Sequence, residues 1–97
     1  MSYDVHIGGD DFNYTYNVSS MWYASEPDCG IRAIYGLSGE NAIPVLRKMR
    51  DHMENNWADM EAMNPPNGWG SADGAWDFLN RLIAASRRNK TSIWEGD

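Results

Sequence analysis

The sequence predicts an α+β domain in which a small antiparallel sheet packs against two main helices. Polar and apolar residues alternate near the N-terminus, as they do on strands with one buried face. Apolar residues recur at three- and four-residue steps in two later segments, which is the period of an amphipathic helix. The chain has no repeat, no low-complexity tract and no sign of a domain boundary, so residues 1–97 are expected to form a single domain.

The alternating segments predict a β-hairpin. Residues 3–7 are rich in strand formers, residues 8–11 have the composition of a turn, and residues 12–17 alternate strictly. The apolar face of the second strand consists of Phe12, Tyr14 and Tyr16. A hairpin alone is only marginally stable in water, so it must pack on the helices. Residues 91–94 are expected to add a last short strand that pairs with the hairpin.

The segment between the hairpin and the long helices is less regular. Either Ser19 or Ser20 is suited to cap a short helix over residues 21–24. Residues 27–30 then form a turn. Residues 31–35 fit one helical turn and a strand equally well.

The clearest helix is predicted over residues 41–62. If Glu40 or Asn41 caps this helix, Pro44 falls in the first turn, where its missing N–H costs nothing. If Ser38 caps it instead, Pro44 lies deeper and the first turn is expected to be distorted. The apolar stripe of the helix comprises Ala42, Ile43, Leu46, Met49, Met53, Trp57 and Met60.

A second helix is predicted after the Asn- and Pro-containing loop of residues 64–70. Ser71 is its expected N-cap, and Asp73 suits the positive end of the helix dipole in the first turn. Its apolar stripe runs through Ala75, Trp76, Phe78, Leu79, Leu82 and Ile83, and its basic end contains Arg87, Arg88 and Lys90.

Charge and composition exclude several classes of function. The chain has 14 acidic and 8 basic residues, which gives a net charge of −6, so non-specific binding to nucleic-acid backbones is not expected. Residues 1–46 contribute −5 of that charge, because six acids there face Arg32 alone. No apolar run is long enough to span a membrane, and no signal peptide is expected. A single Cys is consistent with a reducing compartment.

No catalytic motif is present, and we predict no enzymatic activity. The sequence lacks the zinc-protease, nucleophile-elbow, P-loop and dinucleotide-binding patterns. Cys29, His6 and His52 share no metal-type spacing, so no metal and no cofactor are expected. Cys29 is expected to be partly buried, and His52 is expected on the solvent side of the long helix.

Two arginines are candidate binding residues. Arg32 is expected either to pair with Asp4, Asp28 or a carboxylate near the C-terminus, or to bind a phosphate or a partner's carboxylate. Arg50 lies at the edge of the apolar stripe, where it either extends past the core or reaches an anionic group. The alternative for the basic residues around Arg50 is a solvated helix face with no binding role. Its ion pairs would be Arg47–Asp51 and Arg50–Glu54.

Aromatic residues are more numerous than a small core needs, since the chain has five Trp, five Tyr and two Phe. Core packing is the better prediction for any one ring, but use of some of them at an interface is expected. Trp69 is the best candidate for an exposed ring, because a Gly-Trp-Gly loop offers little local packing. The aromatic residues predicted to bind are Tyr14, Tyr16, Trp22, Tyr35, Trp69 and Trp94.

Several short motifs resemble a known set of proteins. They are Thr-Tyr-Asn at residues 15–17, Gly-Ile-Arg-x-Ile-Tyr-Gly at 30–36, Ile-Pro-Val-Leu at 43–46 and Ile-Trp-Glu-Gly-Asp at 93–97. From residue 12 to the end, the chain resembles small uncharacterised accessory proteins of tailed bacteriophages and prophages, except in its Met-rich helix and the loop that follows. The resemblance implies a phage or prophage source and a location in the host cytoplasm. It carries over no functional residue.

The favoured hypothesis is a non-enzymatic phage accessory protein that binds and inhibits a host factor, with a component of anti-phage defence as the favoured target. The alternative is a binder of a nucleotide-like ligand, in which Arg32 or Arg50 meets phosphate and a ring stacks on the base. A DNA mimic is less favoured, because the carboxylates do not form rows. A homodimer is slightly favoured, because the two helix stripes offer more apolar surface than a thin sheet covers.

Overall fold

The computed structural model describes residues 1–97 and has the predicted α+β fold, with a three-stranded antiparallel sheet packed on helices. The elements in chain order are β1 (Ser2–Ile7), β2 (Asp10–Thr15), α1 (Ser19–Tyr23), α2 (Gly39–Asn55), α3 (Trp57–Ala62), α4 (Ala72–Arg88) and β3 (Glu95–Gly96). Short 3-10 turns cover Tyr16–Val18 and Gly30–Ile34. The second of these turns decides between the two predictions for residues 31–35 in favour of a helical turn.

The hairpin is confirmed, but its second strand is shifted towards the turn. The register runs from Ser2 opposite Thr15 to Ile7 opposite Asp10, so Asp10 belongs to β2 rather than to the turn. Gly8 has φ 57, a conformation that lets two residues close the hairpin. The chain leaves the strand after Thr15, and the predicted strand over 12–17 was therefore wrong at both ends.

The helix α1 has no side-chain cap, contrary to the prediction for Ser19 and Ser20. Val18 occupies the cap position and makes no capping hydrogen bond through its side chain. The 3-10 turn that precedes α1 runs directly into it, so both serines lie inside the helix. The hydroxyl of Ser19 donates instead to the carbonyl oxygen of Tyr16.

The predicted helix over residues 41–62 is two helices that meet at Asn56. Asn56 leaves the helical region with φ −132 and ψ 38, and its Nδ2 donates to the carbonyl oxygen of His52 at 2.9 Å. Ser38 is the N-cap of α2, because its Oγ accepts from the amide of Asn41 at 3.2 Å. Pro44 thus lies inside α2, yet the helix runs without interruption from Gly39, so the proline does not break its first turn.

A last short strand does pair with the hairpin, but it consists of Glu95 and Gly96, so the predicted strand over residues 91–94 was wrong in its bounds. Its two residues pair with Val5 and His6 of β1. The preceding residues are engaged elsewhere, since the carbonyl oxygens of Ser92 and Lys90 accept from the first two amides of α2 at 2.9 and 3.0 Å. Only beyond this contact is the chain free to join the sheet.

The helix α4 matches its prediction most closely. Ser71 is its N-cap, with Oγ accepting from the amide of Gly74 at 3.0 Å. Asn64 Oδ1 also accepts from the amide of Ala72 at 2.8 Å, so the loop before the helix supplies a second partner for its first turn. None of the helices combines the length and the apolar character needed to cross a membrane.

The buried hydrophobic side chains form one cluster, built where α2 packs on α4 beneath the inner face of the sheet. Only Met1, Trp69 and Ile93 are large hydrophobic residues that stand exposed. The two helix stripes pack mainly on each other, although Trp57 and Trp76 remain half-buried at their edge. The homodimer stays a prediction.

Candidate functional site

A half-exposed polar cluster surrounds Asp97. Arg32 Nη2 donates to Asp97 Oδ2 at 2.9 Å, and the hydroxyl of Tyr35 donates to Oδ1 at 2.7 Å. The hydroxyl of Tyr16 donates to Oδ2 at 3.3 Å and also accepts from Arg32 Nη2 at 2.9 Å. The guanidinium carbon of Arg32 lies 5.0 Å from the ring centroid of Tyr3, within cation–π distance. Three residues predicted to bind are thus brought together, but around a carboxylate of the same chain.

The electrostatics of this cluster oppose its use as an anion site. The hydrogen bond from Arg32, followed by that from Tyr35, holds the pKa of Asp97 below its ordinary value. Burial, together with the hydrogen bond to Asp97, raises the pKa of Tyr35. Asp97 is therefore ionised at neutral pH and offsets the charge of Arg32. Because the amide of Asp97 also donates to the carbonyl oxygen of Asp4 at 2.7 Å, the cluster fastens the end of β3 to β1.

This ion pair predicts a pH-dependent contribution to stability. The pKa of Asp97 is lower in the folded chain than in the unfolded one, so its contribution is fully present above about pH 4 and is lost as the pH falls through the folded value. Asp97→Asn is expected to lower the free energy of unfolding by about 1 kcal/mol at pH 7, with a smaller difference near pH 2. Urea denaturation of both proteins across this pH range measures it.

The matched control is Asp28→Asn, because Asp28 is exposed in a turn and makes no ion pair. Because this substitution breaks no ion pair, its effect on the free energy of unfolding should stay within about 0.5 kcal/mol. A difference for Asp97→Asn that stays constant between pH 7 and pH 2 would show that the carboxylate charge contributes nothing.

The loop before α4 presents Trp69 to solvent. Gly68 and Gly70 have φ of 76 and 97, so the indole stands between two backbone positions that favour glycine. A Cβ on Gly70 would lie 2.6 Å from Cγ2 of Thr15, which shows how closely the loop approaches the end of β2. Trp69 is 70% exposed, as the sequence predicted for this ring.

An open groove of about 640 Å³ lies between this loop and the end of the hairpin. We call it the Trp69 groove, and it is lined by Met1, Ser2, Asn13, Tyr14, Thr15, Asn17, Trp69 and Gly70. The side chains that line it offer amides, hydroxyls, an indole and a thioether. None is acidic, basic, a thiol or an imidazole, so these side chains favour apolar contact and hydrogen bonding over proton transfer or phosphate binding.

The free edge of β2 continues the groove. The amide of Tyr16 donates to the carbonyl oxygen of Met1, and antiparallel ladders alternate between residues that face the partner and residues that face away. The backbone groups of Asp11, Asn13 and Thr15 therefore point away from β1. Because β2 is an outer strand, these groups form a row that an extended backbone can pair with.

The remaining aromatic candidates divide into one groove residue and two core residues. Tyr14 lies in the groove, but its ring stacks on Phe78 at 5.7 Å and its hydroxyl accepts from the amide of Ser71 at 3.1 Å. Trp22 and Trp94 are both fully buried, so the prediction that they bind a partner was wrong. Aromatic composition could not tell the groove ring from the core rings, because half-buried strands and hydrophobic cores are both rich in aromatic residues.

The predicted ion pairs of α2 were also wrong. Arg50 donates from Nη2 to Asp51 at 3.3 Å and from Nη1 to Oδ1 of Asn80 at 3.2 Å. Glu54 instead accepts from the indole nitrogen of Trp76 at 2.9 Å. Arg50 therefore joins α2 to α4.

The sulfur and imidazole groups lie apart. Cys29 is exposed rather than partly buried, because the turn before the 3-10 segment carries it outward. His6 contacts Glu95 at 3.0 Å on the outer face of the sheet, and His52 is half-buried beside Asn56. No three His, Cys, Asp or Glu side chains are arranged to hold a metal ion.

Sequence reasoning missed the polar residues of the groove, Asn13, Thr15 and Asn17. The available signal was their alternation with Phe12 and Tyr14, which placed them on the outer face of the strand. No family model, no curated protein and no solved structure matches this chain.

Proposed function

We propose that this protein is a non-enzymatic phage accessory protein that binds a host protein through the Trp69 groove and inhibits it in the host cytoplasm. A component of anti-phage defence is the favoured target. The observation that carries the proposal is the exposure of Trp69, a residue that lines the groove and is 70% exposed. The resemblance to phage accessory proteins supports the choice of a host partner.

The chemistry of the groove favours a protein over a nucleotide. Exposed tryptophans are enriched among the residues that dominate protein–protein binding energies. A nucleotide phosphate would need a cationic partner, and no Lys or Arg side chain lines the groove. Arg32 is occupied by Asp97, and Arg50 by Asp51 and Asn80.

The outer edge of β2 adds a second means of contact. An extended segment of the partner would hydrogen-bond to the outward backbone groups of Asn13 and Thr15, while one of its apolar side chains packs on Trp69. Binding of this kind does not need a deep pocket, which suits the open shape of the groove.

The first experiment is a comparison of Trp69→Ala with wild type in pull-downs from lysate of a bacterial host, followed by affinity measurements on the purified partner. Loss of the indole is expected to weaken binding about 30-fold, the effect of a strong interface residue. Ile93→Ala is the matched control, since Ile93 is also an exposed hydrophobic residue but lies outside the groove. Equal binding by wild type and Trp69→Ala would overturn the groove assignment.

Inhibition and ligand class are tested separately. The partner's own activity should fall when wild type is added and should be restored with Trp69→Ala. A thermal-shift screen with mono-, di- and cyclic nucleotides tests the alternative, since a ligand at 100 times its Kd stabilises by about 2.7 kcal/mol. A nucleotide that raises the melting temperature while no protein partner is captured would favour that alternative.

A further inference from the structure

A second, shallow depression in the surface is lined only by aromatic rings and carboxylates. This pocket of about 320 Å³ lies where the end of α2 and the start of α3 meet the first turns of α4. Its lining residues are Glu54, Trp57, Asp73 and Trp76. No other residue type contributes to its wall, so its chemistry is unusually well defined.

Local structure explains how these four side chains come together. The break at Asn56 starts α3 at Trp57, so this residue stands at the junction of the two helices. Asp73 and Trp76 are three residues apart and therefore share one face of α4. The indole nitrogen of Trp76 donates to Oε2 of Glu54 at 2.9 Å, which fixes the ring and the carboxylate relative to each other.

The charge of the pocket is not balanced locally. Glu54 and Asp73 are exposed residues that form no ion pair, and no basic side chain lines the pocket. The nearest Lys or Arg along the chain is Arg50, one turn before Glu54. It is held by Asp51 and Asn80 and does not contact Glu54. Two negative charges thus lie beside the half-buried rings of Trp57 and Trp76.

We propose that this pocket binds a weakly hydrated organic cation, an alkylated ammonium or a guanidinium group. Indole rings attract such cations through their electron-rich faces, with tryptophan the strongest of the aromatic residues. The two carboxylates add direct Coulomb attraction. Small inorganic cations are disfavoured, because the pocket offers too few oxygen ligands to replace their hydration shell and no metal-type group of side chains is present.

The site is independent of the Trp69 groove, because the two share no residue. The cation would be presented either by a small molecule or by an Arg side chain of another protein, since the ammonium of Lys is strongly hydrated. Both sources offer the same chemistry to the pocket, and they are distinguished by the probes below.

The direct test is an NMR titration of the intact, ¹⁵N-labelled protein, followed through the indole N–H signals of its five tryptophans. The probes are tetramethylammonium chloride and the amide of N-acetylarginine, each compared with NaCl at the same ionic strength. The signals of Trp57 and Trp76 should shift and saturate, and those of Trp22, Trp69 and Trp94 should not. Trp57→Phe and Trp76→Phe assign the two signals.

Charge variants separate recognition from a structural role. Glu54→Gln removes the charge but keeps an oxygen that accepts from Trp76, and Asp73→Asn removes the second charge. Each is expected to weaken cation binding about threefold to fivefold. Asp28→Asn changes the net charge equally but lies outside the pocket, so its affinity should equal that of wild type.

The outcomes are separable. Saturation by tetramethylammonium alone supports alkylated ammonium as the ligand class, and saturation by the arginine derivative supports a side chain on another protein. Shifts that NaCl reproduces, or equal weakening by Asp28→Asn, would overturn the proposal, as would the absence of any shift at Trp57 and Trp76. None of these results bears on partner binding through Trp69.

Discussion

Replacing Trp94 by Ala is expected to lower the free energy of unfolding by about 3–5 kcal/mol. The indole is fully buried and packs near Phe12, with ring centroids 6.3 Å apart. Its Nε1 donates to Oγ of Ser86 at 2.9 Å, and Ser86 is itself fully buried. The substitution therefore leaves a large cavity and an unsatisfied hydroxyl in one place. Since small domains are stable by only about 5–15 kcal/mol, this variant should lose a large share of the stability of the fold.

Urea denaturation followed by circular dichroism measures this loss without depending on tryptophan fluorescence. Trp94→Phe should lower the free energy of unfolding by less, because the phenyl ring fills most of the space. It still leaves the hydroxyl of Ser86 without the hydrogen bond from Trp94. Adding Ser86→Ala to Trp94→Phe should recover part of that loss. Trp69→Ala is the matched control for deletion of an exposed indole and should stay within about 0.5 kcal/mol of wild type. A loss below 1 kcal/mol for Trp94→Ala would contradict the packing described above.

Gly39→Ala is expected to destabilise the protein, although alanine is the better helix former. Gly39 is the first residue of α2, where the change would otherwise gain up to about 1 kcal/mol. A Cβ at this position would overlap the carbonyl oxygen of Asn89 and lie 2.6 Å from that of Ser86. These are backbone atoms at the end of α4, which cannot turn aside as a flexible side chain can. Relief requires the two helices to separate, at a net cost of about 1–3 kcal/mol.

The matched control for this substitution is Gly9→Ala, because a Cβ on Gly9 meets nothing within 4 Å. Its unfolding free energy should stay within about 0.5 kcal/mol of wild type. Both variants are measured in the same denaturation experiment. A residue larger than alanine at position 39 is not expected to restore the free energy of unfolding. A Gly39→Ala variant as stable as wild type would show that the contact between α2 and the end of α4 is loose.

Both predictions concern the segment that follows α4. Within a few residues, this segment contacts α2, the core and the sheet. Ser92 and Lys90 accept from the first amides of α2, and Trp94 fills the core. Glu95 adds a strand to the sheet, and Asp97 pairs with Arg32. Changes in this segment should therefore alter stability first, and effects on partner binding should be interpreted only in variants that remain folded.

Much of the fold could be predicted because its signals are local. Alternation over a few residues indicated the hairpin, and the helical period indicated α4 with Ser71 at its start. The exposure of Trp69 followed from its two flanking glycines. Each of these inferences depends on residues close together in the chain.

The errors share a different origin. The break at Asn56 depends on a side chain that bonds back to its own helix, a feature that apolar periodicity does not report. The shift of β3 depends on backbone contacts between Ser92 and Gly39, and the burial of Trp22 and Trp94 depends on which helices cover them. Hydrophobic periodicity in the sequence does not report these tertiary contacts, which override the local preferences for helix and strand.

The sequence by itself determined the fold class, the hairpin, the second long helix, the excess of acidic charge in residues 1–46 and the exposed loop at Trp69. Only the tertiary structure decided that Arg32 belongs to Asp97, 65 residues away, and that Glu54, Trp57, Asp73 and Trp76 form one pocket. The physical reason is that local patterns fix secondary structure and exposure. The pairing of charges and rings depends on distances that exist only after the helices and the sheet have packed.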